Sequence, residues 1–214
     1  MRKIFLASSI EITAKAIAKE IGNVKKLKTA FIDTAAEPKG ERKDLRWLNK
    51  DRKGLVDAGF NLFDYSITEK SLAEIEKDLE SCDIMHVNGG NVFYLLVQAK
   101  KSGFDKFVRN FVEKGGVYIG SSAGSIIASP DISVTRMLDT NCYEEELKEL
   151  GNTKSFNLVD FIIFPHWGEE HFRERYLNQR MGVSYGEGNK IILLTNTQYV
   201  SVFDDKYKII DISS

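Results

Sequence analysis

The stretch "GGVYIGSSAGSIIA", residues 115–128, decides how the rest of the chain is read. Val117-Tyr118-Ile119 is a short apolar run of strand type, and Ser125 to Ala128 opens a helix-like run. Between them stands Gly120-Ser121-Ser122-Ala123-Gly124, a G-x-S-x-G match with Ser122 at its centre. In a strand–turn–helix setting that pattern is a sharp elbow, which projects the central hydroxyl above a sheet. Glycines flank it because a Cβ there would collide with neighbouring backbone. The helix start supplies free N–H groups and a positive dipole end, so the Ala123 amide can face an oxyanion. The plainer alternative is a Gly/Ser turn in which Ser122 only caps the helix.

Working outward, strand-length apolar runs alternate with helical patterns. "KIFLAS" (3–8), "KTAFID" (28–33), "NLFDYSI" (61–67), "DIMHVNGG" (83–90) and "FIIFPHW" (161–167) read as further strands. Helical spacing occupies 13–22, 42–59, 69–82, 92–101, 104–113 and 169–181, and the tail after Lys190 reads as successive short strands. Such alternation predicts an α/β fold, a mainly parallel sheet flanked by helices on both faces. Ligands bind such sheets beyond the carboxyl ends of the strands. Three motifs fall there: Asn88-Gly89-Gly90-Asn91, the elbow, and Pro165-His166. With no repeat, linker or low-complexity segment, residues 1–214 read as one α/β domain.

The composition narrows the function classes. Thirty basic against 31 acidic residues, net −1, give no basic excess for nucleic acid. No apolar run approaches the ~18 residues of a membrane span. The start is too briefly apolar for a signal peptide, so a cytoplasmic protein is expected. Cys82 and Cys142 fit a reducing compartment and belong to no motif. There is no metal-ligand spacing, Walker motif or dinucleotide fingerprint, so neither metal nor organic cofactor is expected.

A nucleophilic serine needs a base, and the chain has three histidines: His86, His166 and His171. His166 follows a strand and shares the expected edge with Ser122. His86 lies within a strand and reads as packed, and His171 reads as a solvated helix residue. The base needs an orienting carboxylate. Glu187, between Gly186 and Gly188, and Asp139 are both candidates, and residue chemistry alone does not choose between them. The Gly89-Gly90 amides can complete an oxyanion hole, and Asn88 and Gly89 stand where substrate would be touched.

Taken together, these segments resemble the peptidase E family of serine peptidases, which includes aspartyl dipeptidase and cyanophycinase and has a class I glutamine amidotransferase-like, flavodoxin-like fold. "VNGGNVFYLL" resembles its glycine turn, "YIGSSAGSIIASP" its nucleophile segment, "FPHW" its histidine segment and "EG" before a strand its acid segment. The resemblance implies Ser122 as nucleophile, His166 as general base and Gly90 and Ala123 as oxyanion amides. It favours Glu187 over Asp139, because the family uses Ser-His-Glu. It further implies a small peptide substrate, with N-terminal aspartate gripped by Arg173 or, alternatively, Arg175. A monomer or homodimer is expected. The rival expectations are a non-catalytic amidotransferase-like binding or regulatory module and a small-ester hydrolase. The order Ser…His…Glu differs from the Ser…acid…His order of α/β-hydrolases.

Overall fold

The computed structural model describes residues 1–38, 45–136, 143–186 and 188–213. The chain opens with β1 (Lys3–Ala7), α1 (Ile10–Ile21), β2 (Lys28–Ile32), α2 (Arg46–Asp57), β3 (Asn61–Tyr65) and α3 (Leu72–Asp78). It continues through β4 (Ile84–Val87), α4 (Val92–Ser102), α5 (Phe104–Glu113), β5 (Val117–Ser121), the one-turn α6 (Ala123–Ile126) and α7 (Glu144–Leu150). The last third holds β6 (Ile162–Phe164), α8 (Glu170–Arg175), a π-helical turn (Tyr176–Arg180), α9 (Met181–Gly186), β7 (Ile191–Leu193), β8 (Gln198–Phe203) and β9 (Lys206–Asp211).

Among the described residues, seven strands form one sheet in the order β3-β2-β4-β5-β1-β8-β9. Strands β1 to β5 are mutually parallel, whereas β8 and β9 add antiparallel at one side. Alternation along the strands feeds two apolar layers, as period-two geometry requires. Ile4, Leu6, Ile32, Met85 and Tyr118 pack with α3, α4 and α5. Phe5, Ala7, Phe31, Ile84 and Ile119 pack with α1 and α2 on the other face. Because both faces are covered, the central strands β1, β4 and β5 are buried almost throughout, which explains their apolar composition, whereas the edge strands β3 and β9 are more exposed.

Two expectations change. "FIIFPHW" does not join the main sheet: β6 pairs in parallel with β7 to make a separate two-stranded sheet. The run read as one regular helix over 169–181 is interrupted by the π-helical turn and continues to Gly186. A π turn widens the helix by one residue, an irregularity that hydrophobic spacing does not encode. Arg42, Lys43, Asp44 and Cys142 lie outside the described residues, so the helix read from residue 42 is described from Arg46.

Candidate functional site

The elbow forms because β5 must turn abruptly into α6. Register pairs Leu6 with Gly120 and Ala7 with Ser121, so the strand ends level with β1. The Ser122 amide then donates to the Ala7 carbonyl at 3.1 Å, and the Ser125 hydroxyl donates to the same carbonyl at 2.7 Å. Ser122 adopts φ 49°, ψ −112°, a left-handed conformation for a side chain that rarely takes it. The turn is tolerated because Gly124 lies against the next strand. A Cβ on Gly124 would stand 1.9 Å from the Val87 carbonyl oxygen, and one on Gly120 would stand 2.4 Å from the Gly124 carbonyl oxygen. Tyr118 further ties the turn, its hydroxyl donating to the Gly124 carbonyl at 2.6 Å.

His166 reaches the same edge from the small sheet. It too has a positive φ, 60°. Its amide donates to Ser8 Oγ at 2.7 Å, and the next amide, of Trp167, donates to the Leu194 carbonyl. Its ring stacks on Phe172, 4.7 Å between centroids. In this pose Nε2 lies 3.0 Å from Ser122 Oγ. Burial holds the imidazole below its ordinary pKa, partly offset by Asn196 and by the negative charge of Glu169. A mostly neutral imidazole whose Nε2 faces a hydroxyl can accept that proton.

On the other side of the ring, Nδ1 lies 2.8 Å from Asn196 Oδ1. Asn196 is held in turn by the Ser8 hydroxyl, which donates to Oδ1 at 3.0 Å, and by Glu169, whose Oε1 accepts from Nδ2 at 2.8 Å. Both expected orienting acids, Glu187 and Asp139, lie outside the described residues. Sequence reading missed Asn196, although a signal existed: "LLTNT" follows an apolar run. Once β6 and β7 pair in parallel with Phe164 opposite Leu193, His166 and Asn196 follow their strands on the same edge.

The glycine turn after β4 completes the surroundings. Asn88 is fully buried and accepts from the Ser121 hydroxyl at 2.8 Å, so it braces the elbow's other serine from below. Gly89 lets the turn approach the nucleophile position: a Cβ there would stand 3.1 Å from Ser122 Cβ. Gly90, at φ 134°, passes against the Ala35 carbonyl, 2.2 Å from where a Cβ would be. Asn91 caps α4 by accepting from the amides of Phe93 and Tyr94.

A cavity of about 70 Å³ opens beside Ser122, with Gly90, Ala123, His166, Arg175 and Arg180 in its wall. Arg180 is buried; its Nη2 donates to the Thr135 carbonyl at 2.9 Å, its Nε has no hydrogen-bond partner among the described residues, and its guanidinium lies over the Tyr176 ring. Among the described residues no carboxylate forms an ion pair with it. Arg175 lies over Phe172. Arg173 is not in this wall; it borders a separate depression with Trp167 and Leu177. Arg173 and Arg175 stand two residues apart on regular helix and so face different sides, whereas Arg180 closes the π-helical turn that follows. A larger cavity, about 680 Å³, lies at the amino ends of the strands around Lys3, Asp83 and Val117, remote from Ser122. His86 is buried against Phe31, and His171 is exposed on α8. Cys82 is free and buried. Among the described residues no helix is long and apolar enough to cross a membrane, and no group of acids, histidines and cysteines could hold a metal.

A doubly covered, mainly parallel sheet carrying a serine elbow that faces a histidine belongs to the class I glutamine amidotransferase-like group of hydrolytic folds. The sequence profile of peptidase family S51 matches residues 4–210, so the chain belongs to that family and is a serine-type peptidase. It is 29% identical over 202 residues to an uncharacterised peptidase of Listeria monocytogenes serovar 1/2a, covering 94% of this chain and 95% of that one. It is 33% identical over 124 residues to peptidase E of Salmonella typhi, covering 56% of this chain and 48% of that one. A candidate peptidase E protein from Listeria monocytogenes EGD-e, solved by crystallography, superposes with a TM-score of 0.84 at 27% identity over 99% of both chains. A peptidase from an acI-B1 Actinobacterium shares the fold, with a TM-score of 0.69 at 14% identity over 99% of this chain and 88% of that one.

Proposed function

We propose that this peptidase hydrolyses short peptides carrying an acidic residue, N-terminal aspartate above all, through Ser122 and His166. The observation that carries the reading is the 3.0 Å contact between Ser122 Oγ and His166 Nε2 at a strained elbow. Ser122 Oγ attacks the scissile carbonyl while its proton passes to Nε2. The developing oxyanion turns toward the amides of Gly90 and Ala123, both in the cavity wall. His166 gives the proton to the leaving amine, which departs and leaves an acyl-enzyme. Water, deprotonated by His166, then attacks the acyl carbon and frees Ser122. On Nδ1 the orienting partner in this reading is Asn196, which holds the tautomer but brings no charge of its own.

Acid preference is supported by Arg180 and Arg175, two guanidiniums beside the serine without a carboxylate ion pair among the described residues. A buried cation left in that condition is costly, and a substrate carboxylate would relieve it by charge-assisted hydrogen bonds. The small cavity supports a short side chain there. The test is a dipeptide panel including Asp-Xaa, Glu-Xaa and Ala-Xaa, run with Ser122→Ala and Arg180→Lys. Expected are cleavage lost in Ser122→Ala and a selective loss on acidic substrates in Arg180→Lys, tenfold or more. Cleavage of none of the peptides by the wild type, with no labelling by a serine-directed phosphonate, would overturn the reading. It would favour a binding or regulatory module instead.

A further inference from the structure

We infer that Glu169 is a positioning residue that sets the tautomer of His166 by fixing which end of the Asn196 amide faces the imidazole. The inference rests on the reading of Ser122 and His166 as the hydrolytic pair, and its geometry is the chain Glu169 Oε1, Asn196 Nδ2, Asn196 Oδ1, His166 Nδ1, His166 Nε2, Ser122 Oγ.

An asparagine side chain has two ends of nearly equal shape and opposite hydrogen-bonding sense. With Oδ1 toward His166, the ring must carry its proton on Nδ1, and Nε2 presents a lone pair to the Ser122 hydroxyl. If the amide turns over, Nδ2 donates toward Nδ1, and the neutral ring must carry its proton on Nε2. That proton then points at Ser122, and the base is lost. The orientation of one amide therefore decides whether the pair can start the reaction.

Among the described residues two groups other than His166 touch that amide, and only one of them can tell its ends apart. Ser8 donates to Oδ1 at 3.0 Å, yet a hydroxyl both donates and accepts, so it would serve a reversed amide equally well. Ser8 Oγ already accepts the His166 amide at 2.7 Å, which anchors it without giving it a preference. Glu169, ionised, only accepts. It binds Nδ2 at 2.8 Å, and against a reversed amide it would face an oxygen. The turn that carries Glu169 is itself fixed to the histidine, since the Glu169 amide donates to the His166 carbonyl at 3.2 Å. A neutral orienter thus acquires its polarity from a carboxylate one residue further out, where a directly bonded acid would need no such support.

The experiment uses full-length protein with 15N-labelled histidine and reads the ring nitrogens at pH 8, with the His166 signals assigned by their loss in His166→Ala. Expected is the Nδ1–H form in the wild type and in Glu169→Asp, and a shift toward the Nε2–H form in Glu169→Gln, whose amide can face either end of Asn196. The double variant Glu169→Gln with Asn196→Asp should return to the Nδ1–H form, because an aspartate can only accept. On a substrate cleaved through Ser122, kcat/KM should fall about tenfold in Glu169→Gln and recover in the double variant. An Nε2–H ring in the wild type, or an unchanged Nδ1–H ring in Glu169→Gln, would overturn the inference. The spectra need no substrate, so failure to cleave peptides would sink the proposed function while leaving this test intact.

Discussion

At the residue scale, Ser122 and His166 both take positive φ angles that non-glycine residues avoid, at a cost of order 1–3 kcal/mol each. The surroundings offset that strain: the Ala7 carbonyl and Gly124 at the elbow, and Ser8 and Phe172 at the histidine. Their yield is one contact between a hydroxyl and a desolvated imidazole. Because burial lowers the imidazole pKa, the acid limb of kcat/KM should fall below the ordinary histidine value near 6.5. Asn196→Asp places a charge against Nδ1 and should move that limb upward by about one pH unit, read from a full pH–rate profile. Ser122→Ala should lower kcat by about 10³ or more and abolish phosphonate labelling.

At the scale of elements, the short α6 decides whether the site exists. It is a single turn with no side-chain cap, held by Gly124 against Val87 and by Ser125 against Ala7. Gly124→Ala puts a methyl into backbone that cannot retreat without separating β4 from α6. It should destabilise the fold by several kcal/mol, seen as a lower denaturation midpoint, and activity should fall with it. Helix α3 illustrates an ordinary local device. Ser71 accepts from the Glu74 amide and the Glu74 carboxylate accepts from the Ser71 amide, a capping box legible in "SLAE". Ser71→Ala should cost about 1 kcal/mol in urea denaturation and leave activity unchanged, since α3 lies away from Ser122. Helix α1 is different. Its own Ser9 makes no cap, and the Glu11 amide is instead met by the carboxyl of Asp51 on α2, a partner forty residues away.

At the scale of the whole molecule, two buried groups set opposing pH slopes. Burial lifts Asp51 to about 7, opposed by the Glu11 amide and reinforced by the Glu11 carboxylate. The folded protein keeps this proton when the unfolded chain has lost it. The contribution is complete below about pH 4 and is lost as pH rises through 7. Burial drops His86 to about 3, both ring nitrogens being buried without partners among the described residues. Its contribution is present above about pH 6.5 and is lost as pH falls toward 3, because the unfolded chain then binds a proton that the fold refuses. Each slope approaches at most ~1.4 kcal/mol per pH unit. Between about pH 4 and 6.5 the two slopes oppose each other, so removing one exposes the other. His86→Phe, which can keep the stack on Phe31, should leave stability falling as pH rises from 4 to 7. Asp51→Asn should leave it rising over the same range. Thermal melts from pH 4 to 8 check both.

By itself the chain determined its alternation of strands and helices, the elbow around Ser122, the glycine turn at Asn88 to Gly90 and the availability of His166, because each depends on local spacing and turn chemistry. The family followed from those segments in order. The tertiary structure decided what faces what. It moved "FIIFPHW" out of the main sheet into a pair with β7, which brings Asn196, thirty residues on, against the imidazole. It packed the helix after His166 so that Arg175 and Arg180, rather than Arg173, stand in the wall beside the serine. Neither outcome is written in local spacing: strand pairing and the phase of an irregular helix are settled by packing between distant segments, and the partners of a side chain are known only after that packing is complete.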